Sequence, residues 1–578
     1  MTPARPRSLL AMAAVAVAFA AADTYVVVLA LPDMMGSIGV SIEELQKAAP
    51  IVSGFLLGYV AMLPLIGRIA DLRGRVPVLV AALVVFALGS LITAVAYDMP
   101  TMVLGRFLQG VGGGGLVPAT LALVADLYPV ERRGVPLGVV SAVQEIGSVL
   151  GPLFGAAVLV VADWRVIFVV NLAVGLVLAA AVRRLAGPLV PKRGRFDSPG
   201  LLLLLVTLVA GVLVFLRPPS LLRDLTWGSL FVPFAGDGRW LTPVGAVAMT
   251  AAALFLVRTL TASRPLVDLR AWAGAVREAD LTGALLLAAA LSGVILAFAT
   301  ADPEIEVFSD RGLWYLLCGA VAAVAFAAHL RRTESPIIPT GALRRTPAWG
   351  SLAVSFFIGA ALIAALIDIP IFARTTIYAD SQLMAALVLV RFLVAIPVGA
   401  VVGGYLTRWL PAGVVTAAGM ACAAVGFLWM SSWGLETLEH ASATLPLVIG
   451  GFGFGLALAP VNAAVLAATD DDVHGVATAS VVVARMVGML VGISALTTLG
   501  LRSYYTKTDN VPSPQEVCDG KSRCKEFTLL LKEAGIAQEQ TVFIGAAVCA
   551  VVAGLLALAL FRSAATRGLD SGTLFRVR

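Results

Sequence analysis

The stretch "GRIADLRGR", residues 67–75, decides the fold. It joins two apolar runs, at 50–70 and 77–97, each close to the ~20 residues a helix needs to cross a ~30 Å hydrocarbon layer. Within the joint, Gly67 lets helices approach closely, Asp71 ends a helix beside cations, and Gly74 between Arg73 and Arg75 makes a tight, positively charged turn. A turn so short and so charged, between runs so apolar, reads as the cytoplasmic connection of a helical membrane hairpin.

The rest of the chain is built the same way. Of its 578 residues, 60% are hydrophobic and 13% charged, and the mean hydropathy is +0.96, far outside the range of soluble domains. These values describe a polytopic, all-α membrane protein and count against a soluble enzyme. The net charge of +6 calls for no nucleic acid, because the positive-inside rule accounts for the excess arginine. Long apolar runs recur at 8–31, 50–70, 77–97, 101–125, 135–161, 166–185, 199–216, 241–260, 279–300, 312–330, 349–374, 381–407, 411–433, 443–468, 475–501 and 541–562, which predicts sixteen spans.

Arg5/Arg7, Arg68/Arg73/Arg75, Arg132/Arg133, the group Arg183 to Arg195, Arg258 to Arg277, Arg331 to Arg345, Arg408 and Arg562/Arg567 all fall on alternate connections. That alternation predicts both termini in the cytoplasm. Two opposite connections break the pattern: 217–240, with Arg217, Arg223 and Arg239, and the long polar segment 502–540. The first run follows Arg5 and Arg7 as a signal peptide would, but it is too long for a signal core and reads as a retained helix. In the middle, "FDSPGLLLLL", a second span and "RPLVDLRAW" recur in outline as "ADLTGALLLA", a second span and "SPIIPTGALRR", which predicts a duplicated helical hairpin. The expected organisation is a six-helix half at 1–190, inserted hairpins and linkers at 191–345, a second six-helix half at 346–565 and a cytoplasmic tail at 566–578.

The pattern Gly-x-x-x-Asp-x-x-Gly-Arg of Gly67, Asp71, Gly74 and Arg75 resembles the loop signature of the major facilitator superfamily. "LGRFLQGVGGGG" in the fourth span, with Arg106, Gln109 and Gly110, resembles the family's Arg-x-x-Gln-Gly element. "GSVLGPLFG" in the fifth, with Gly147, Gly151, Pro152 and Gly155, resembles the signature of its antiporters. Small residues four apart make a smooth helix face, and the proline frees a backbone carbonyl. "DWRVIFVVNLAVG" and "DTYVVVLALP" are similar to the fourteen-helix drug:proton antiporter branch, with one departure: that branch inserts one central hairpin and this chain has two.

"ADTYVVV", "QEIGSVLGP", "IDIPIFA", "FLVAIPVGAVVGGY" and "HGVATASVVVARMVGMLVG" resemble mycobacterial triacylglyceride exporters that work beside a lipid-carrying periplasmic lipoprotein. The resemblance implies export of a large lipid from the inner membrane, driven by a proton gradient with no bound cofactor, by rocking of two halves around a cavity. An exporter of amphipathic drugs is the alternative. A membrane-embedded lipid enzyme and a non-transporting scaffold are the other classes. No nucleotide-binding loop, nucleophile elbow or metal-ligand cluster occurs in the sequence.

Ionisable residues within spans cost about 2.5–3.5 kcal/mol each on insertion scales, so their default reading is functional. Asp23 lies roughly 22 Å along its helix, and Arg106 comes to a similar level on the fourth span, so the two can pair. Glu145 and Arg485 lie equally deep in spans of opposite halves; Arg391 is the competing partner for Glu145. Either Asp23 or Glu145 carries the proton on this reading. Asp368 and Arg391 flank a turn between two long spans that either tilt or project beyond the outer leaflet as a ramp for lipid. Asp71, Arg73, Arg75, Asp126, Arg132 and Arg133 form the expected cytoplasmic gating cluster, and in "TDDDVHG" Asp472 is a candidate cap for the next helix. Cys518 and Cys524, six apart in the long polar loop, read as a disulfide outside the cytoplasm, while Cys318, Cys422 and Cys549 lie in apolar segments. His329, His440 and His474 sit near span ends and read as interface residues.

Overall fold

The computed structural model describes the chain except for residues 1–3, 40–44, 130–131, 187–196, 225, 236–237, 264, 300–310, 334–335, 339–340, 342, 379–380, 510, 513, 519–523, 565 and 567–578. Sixteen helices of 19 residues or more run through the described part. The first six are α1 (Ala4–Ser37), α2 (Leu45–Arg73), α3 (Arg75–Ala94), α4 (Met99–Leu127), α5 (Gly134–Val161) and α6 (Arg165–Ala186). Two helical hairpins follow, α7 (Ser198–Leu216) with α8 (Pro243–Thr261), and α9 (Leu281–Ala299) with α10 (Gly312–Leu330). The last six are α11 (Thr346–Thr375), α12 (Gln382–Leu406), α13 (Ala412–Met430), α14 (Thr444–Ala468), α15 (His474–Thr508) and α16 (Lys525–Leu560).

Each long helix coincides with one apolar run of the sequence. Among the described residues, thirteen are long and apolar enough to span a membrane. A fourteenth joins them if the short helix Leu269–Glu278 and α9, bent by 70° at their break, count as one span. α1 and α5, which contain side chains outside the described residues, are not among the thirteen.

The two sets of six pack by one plan. In the first, α1 lies on α5, α2 on α4, and α3 on α4 and α6; in the second, α11 lies on α15, α12 on α14, and α13 on α14 and α16. Lipid tails are as apolar as these side chains, so close backbone approach rather than hydrophobicity holds such helices together. The halves meet through two equivalent crossings, α2 against α15 and α5 against α12. Both crossings are made at glycines. A Cβ on Gly67 would stand 2.6 Å from the Gly475 carbonyl oxygen, and one on Gly134 would stand 2.4 Å from that of Gly404.

The two central hairpins are closed by the same knot. Asp197 accepts hydrogen bonds from the Gly200 amide (3.1 Å) and the Leu266 amide (3.2 Å) and pairs with Arg258 at 2.9 Å. Asp280 accepts them from the Gly283 amide (2.9 Å) and the Ile337 amide (3.2 Å) and meets His329 Nε2 at 2.8 Å. One carboxylate thus ties the start of each hairpin to its end, with arginine in the first copy and histidine in the second. The second hairpin lies on α2 and α15, beside the crossing of the halves. The first touches the α3–α4 connection, where Arg239 stacks 3.9 Å above Tyr97 and donates to the Phe215 carbonyl. That stacking gives one of the three arginines that break the charge alternation a packing role.

The segment 502–540, read from sequence as a loop, is largely helical. α15 continues to Thr508 and α16 begins at Lys525, so the two have 35 and 36 residues and are the longest helices of the described chain. At 1.5 Å per residue each is about 50 Å long, well beyond a ~30 Å hydrocarbon core. A helix longer than the core either tilts or projects; the excess length expected around Asp368 and Arg391, here α11 and α12 with 30 and 25 residues, is greatest on α15 and α16. Cys518 and Cys524 are disulfide-bonded between these extensions.

Candidate functional site

Three polar constellations lie within the helices. The first is sealed inside the first half. Arg106 Nη1 of α4 donates to Asp23 Oδ2 of α1 at 2.9 Å and to Gln109 Oε1 at 2.9 Å. Asn171 of α6 donates to the other Asp23 oxygen. Gln109 donates to Ser90 Oγ at 2.8 Å, and Ser90 to the Phe86 carbonyl. The Arg106 guanidinium lies 4.4 Å from the Phe55 ring centroid. Asp23, Arg106, Gln109 and Asn171 are all buried. Buried charges persist when paired and fully hydrogen-bonded, and this network gives both carboxylate oxygens a donor. Asn171 had a visible signal, a lone carboxamide in the apolar run "VIFVVNLAVG".

The second constellation lies between the halves. Ser141, Gln144 and Glu145 of α5, Ser355 of α11, Asn462 of α14 and Arg485 of α15 line a central cavity with Val117, Leu121 and Val481. Its free space is about 20 Å³, room for about one water molecule. Glu145 and Arg485, from opposite halves, act on one another electrostatically there, and Tyr59 of α2 feels both. The competing partner is elsewhere: Arg391 Nη1 donates to Thr444 Oγ1 at 3.1 Å. Asp23 does not line this cavity. Asp368, 6% exposed, faces Glu539 of α16, which lies in the polar segment 502–540.

The third constellation locks the halves together at the Gly74 end. Asp71, at the end of α2, accepts the Gly475 amide at 2.8 Å and the Val476 amide at 3.1 Å. It thereby caps the N-terminus of α15 from the opposite half. The first N–H groups of a helix have no partner within it and carry its positive end charge, so a carboxylate is the matching group. The cap is therefore Asp71, not Asp472 of the local turn. Gly74, at φ 89°, reverses the chain so that Arg75 turns back. Arg75 pairs with Asp71 at 3.0 Å and with Asp126 at 3.5 Å, and donates to the Asp471 carbonyl of the other half at 3.0 Å. Arg68 reaches the Asp472 carbonyl at 3.4 Å. Arg133 is buried and donates to the Ala125 and Tyr128 carbonyls at the end of α4, while Arg132 is exposed. Arg73 points away from the lock and stacks 4.9 Å from the Trp272 ring of the helix before α9.

The antiporter-type glycines mark where α1 crosses α5. A Cβ would stand 2.0 Å from the Ala18 carbonyl at Gly147, 2.3 Å from that of Ala22 at Gly151, and 3.3 Å from Val26 at Gly155. Pro152 lies on the same helix, its side chain outside the described residues. The second half repeats the crossing: at Gly488 and Gly492 of α15, a Cβ would meet the backbone of Phe356 and Ala360 of α11.

Residues 13–331 match the family model of the Major Facilitator Superfamily. The chain is 33% identical to a triacylglyceride transporter of Mycobacteroides abscessus, over 91% of this chain and 88% of that protein. It is 30% identical to one of Mycolicibacterium smegmatis, over 94% and 85%. A triacylglyceride transporter of Mycobacterium tuberculosis is 33% identical over 84% and 81%. Among solved structures, the human organic anion transporter MFSD10 has a TM-score of 0.53 at 14% identity, covering 96% of this chain and 100% of that one. The proton:xylose symporter XylE has a TM-score of 0.51 at 14% identity, covering 96% and 95%. The structural similarity is one of fold.

Proposed function

Because the chain belongs to the major facilitator superfamily and is a multi-pass membrane transporter, we propose that it exports a triacylglyceride-like lipid, driven by protons, through alternating access. The lipid reading rests on the mycobacterial relatives, whose names specify that cargo. The coupling reading rests on one observation: Glu145 of the first half faces Arg485 of the second across the central cavity. A protonated Glu145 loses its attraction to Arg485 and frees the halves to rock; a deprotonated one draws them together. The cavity in this arrangement is far too small for a lipid, so cargo binds only when the halves part. The charge alternation of the loops supports an inner-membrane orientation with the Gly74 end and both termini in the cytoplasm. The disulfide-tied projection of α15 and α16 then stands outside, where a periplasmic lipid-binding lipoprotein would receive the cargo.

The test is reconstitution in liposomes with an imposed pH gradient, following a labelled triacylglyceride and an amphipathic dye. The expected result is gradient-dependent lipid movement by the wild type and none by Glu145→Gln. Movement of dye without lipid would replace the lipid reading with drug export, and lipid movement indifferent to the gradient would remove the coupling.

A further inference from the structure

The second half repeats the first helix by helix, so each site in one has a counterpart position in the other. Asp23 of α1 meets Asn171 of α6 and is neutralised by Arg106 of α4. The counterparts of α1, α6 and α4 are α11, α16 and α14. On the first two of these, Asp368 and Glu539 stand side by side, each one turn before a member of the Phe372–Phe543 ring pair (6.4 Å between centroids), with 6% and 1% of the residues exposed. On the third, the arginine is missing. "LGRFLQG" (104–110) and "IGGFGFG" (449–455) each begin at the sixth residue of their helix, which sets Gly451 in the place of Arg106. The fold forbids a larger residue there, since a Cβ on Gly451 would lie 2.0 Å from the Phe392 carbonyl oxygen.

The first half therefore balances its buried acid with a fixed cation, and the second sets a second acid beside its own. Two ionised carboxylates are both acceptors, so neighbours of this kind can bond to one another only when one of them holds a proton. Two like charges in contact inside an apolar bundle repel strongly as well. Glu539 Oε2 is buried with no hydrogen-bond partner, and Gln538 Nε2 is 3.5 Å from Oε1. No neighbouring helix supplies a compensating cation among the described residues. α13 and α14 carry no charged side chain. Arg391 of α12 donates to Thr444, Arg485 of α15 lies at the central cavity with Glu145 and Tyr59, and Arg502 of α15 is exposed. On the two helices themselves, Lys532 donates to the Thr376 carbonyl and Arg374 is exposed. Phe372, Phe543 and Trp433 pack together one turn from the acids.

We propose that Asp368 and Glu539 form a second proton-binding site, a carboxyl pair that holds one proton where the first half holds an arginine. The site deepens the coupling reading above and rests on it only for the use made of the proton, which is a second titration in the half opposite Glu145. Infrared spectra of the purified full-length protein at neutral pH, in water and in deuterium oxide, test the occupancy directly. The expected result is a protonated-carboxyl band that shifts in Glu539→Gln and in Asp368→Asn and loses intensity in the double variant. A band unchanged in the folded double variant would overturn the site. Should the double variant not accumulate, an unshifted band in both single variants overturns it equally. Proton flux per lipid in liposomes separates the two readings: a band that responds, with unchanged stoichiometry in Glu539→Gln, removes the pair from coupling. A responding band with no gradient-driven transport by the wild type removes the coupling reading and leaves the site standing.

Discussion

At the scale of single residues, the buried charges divide by what they touch. Asp23 and Arg106 are sealed in the first half, paired with one another and hydrogen-bonded by Asn171 and Gln109. Removing one member of such a pair strands a buried charge and costs about 3–5 kcal/mol, whereas neutralising both is far milder. Arg106→Gln should therefore cut the yield of folded protein and the unfolding temperature in detergent sharply. The double variant Asp23→Asn/Arg106→Gln should recover much of both, and a double variant as unstable as the single one would contradict this account. Asp71 works differently, because besides its pair with Arg75 its partners are backbone amides of the other half. Loss of a helix cap costs about 1 kcal/mol, so Asp71→Ala should loosen the Gly74 end severalfold. A cysteine at Thr478, buried against Pro118 of the opposite half, reads this as faster thiol labelling.

At the scale of elements, the central hairpins and the extended helices carry the structure beyond the twelve-helix plan. The equivalent knots at Asp197 and Asp280 should not be equally important, because only the second hairpin lies on α2 and α15. Asp280→Ala should alter transport along with hairpin stability, while Asp197→Ala should raise proteolytic cleavage near its own hairpin and leave transport close to wild type. Paired protease-protection and flux assays distinguish them. In the extensions, neither Cys518 nor Cys524 should react with maleimide until a reductant is added, a change visible by mass. The duplicated hairpin was legible in the sequence because its Asp-x-x-Gly starts are local; its knots were not, since they join residues 49 to 69 positions apart. The extensions of α15 and α16 were missed for a physical reason. Hydropathy detects a continuous apolar surface, and the added turns show instead a sparser pattern such as Ala534 and Ala537, buried on one helix face. Glu539 was hidden with them.

At the scale of the molecule, the two-half plan was readable from glycines, arginines and their order, because membrane helices announce length and charge asymmetry directly. Pairings across the halves were only partly readable. Depth along a helix brought Asp23 level with Arg106, but depth says nothing of azimuth, so Arg391 stayed a rival of Arg485 for Glu145 until the helices were packed. Azimuth also decides which acid faces the cavity: Glu145 does and Asp23 does not. In the liposome assay, Glu145→Gln should accordingly abolish the response to the pH gradient while Asp23→Asn lowers the amount of folded transporter. Equal gradient response in Glu145→Gln and wild type would contradict this. The lock at the Gly74 end carries a further consequence, for genetics. Because the opposite half reads Asp71 by peptide N–H groups and not by side chains, that receiving surface has no side-chain chemistry of its own to mutate. A screen for suppressors of Asp71 variants should find none at residues 475 and 476, and should return changes that penalise the parted state of the two halves instead.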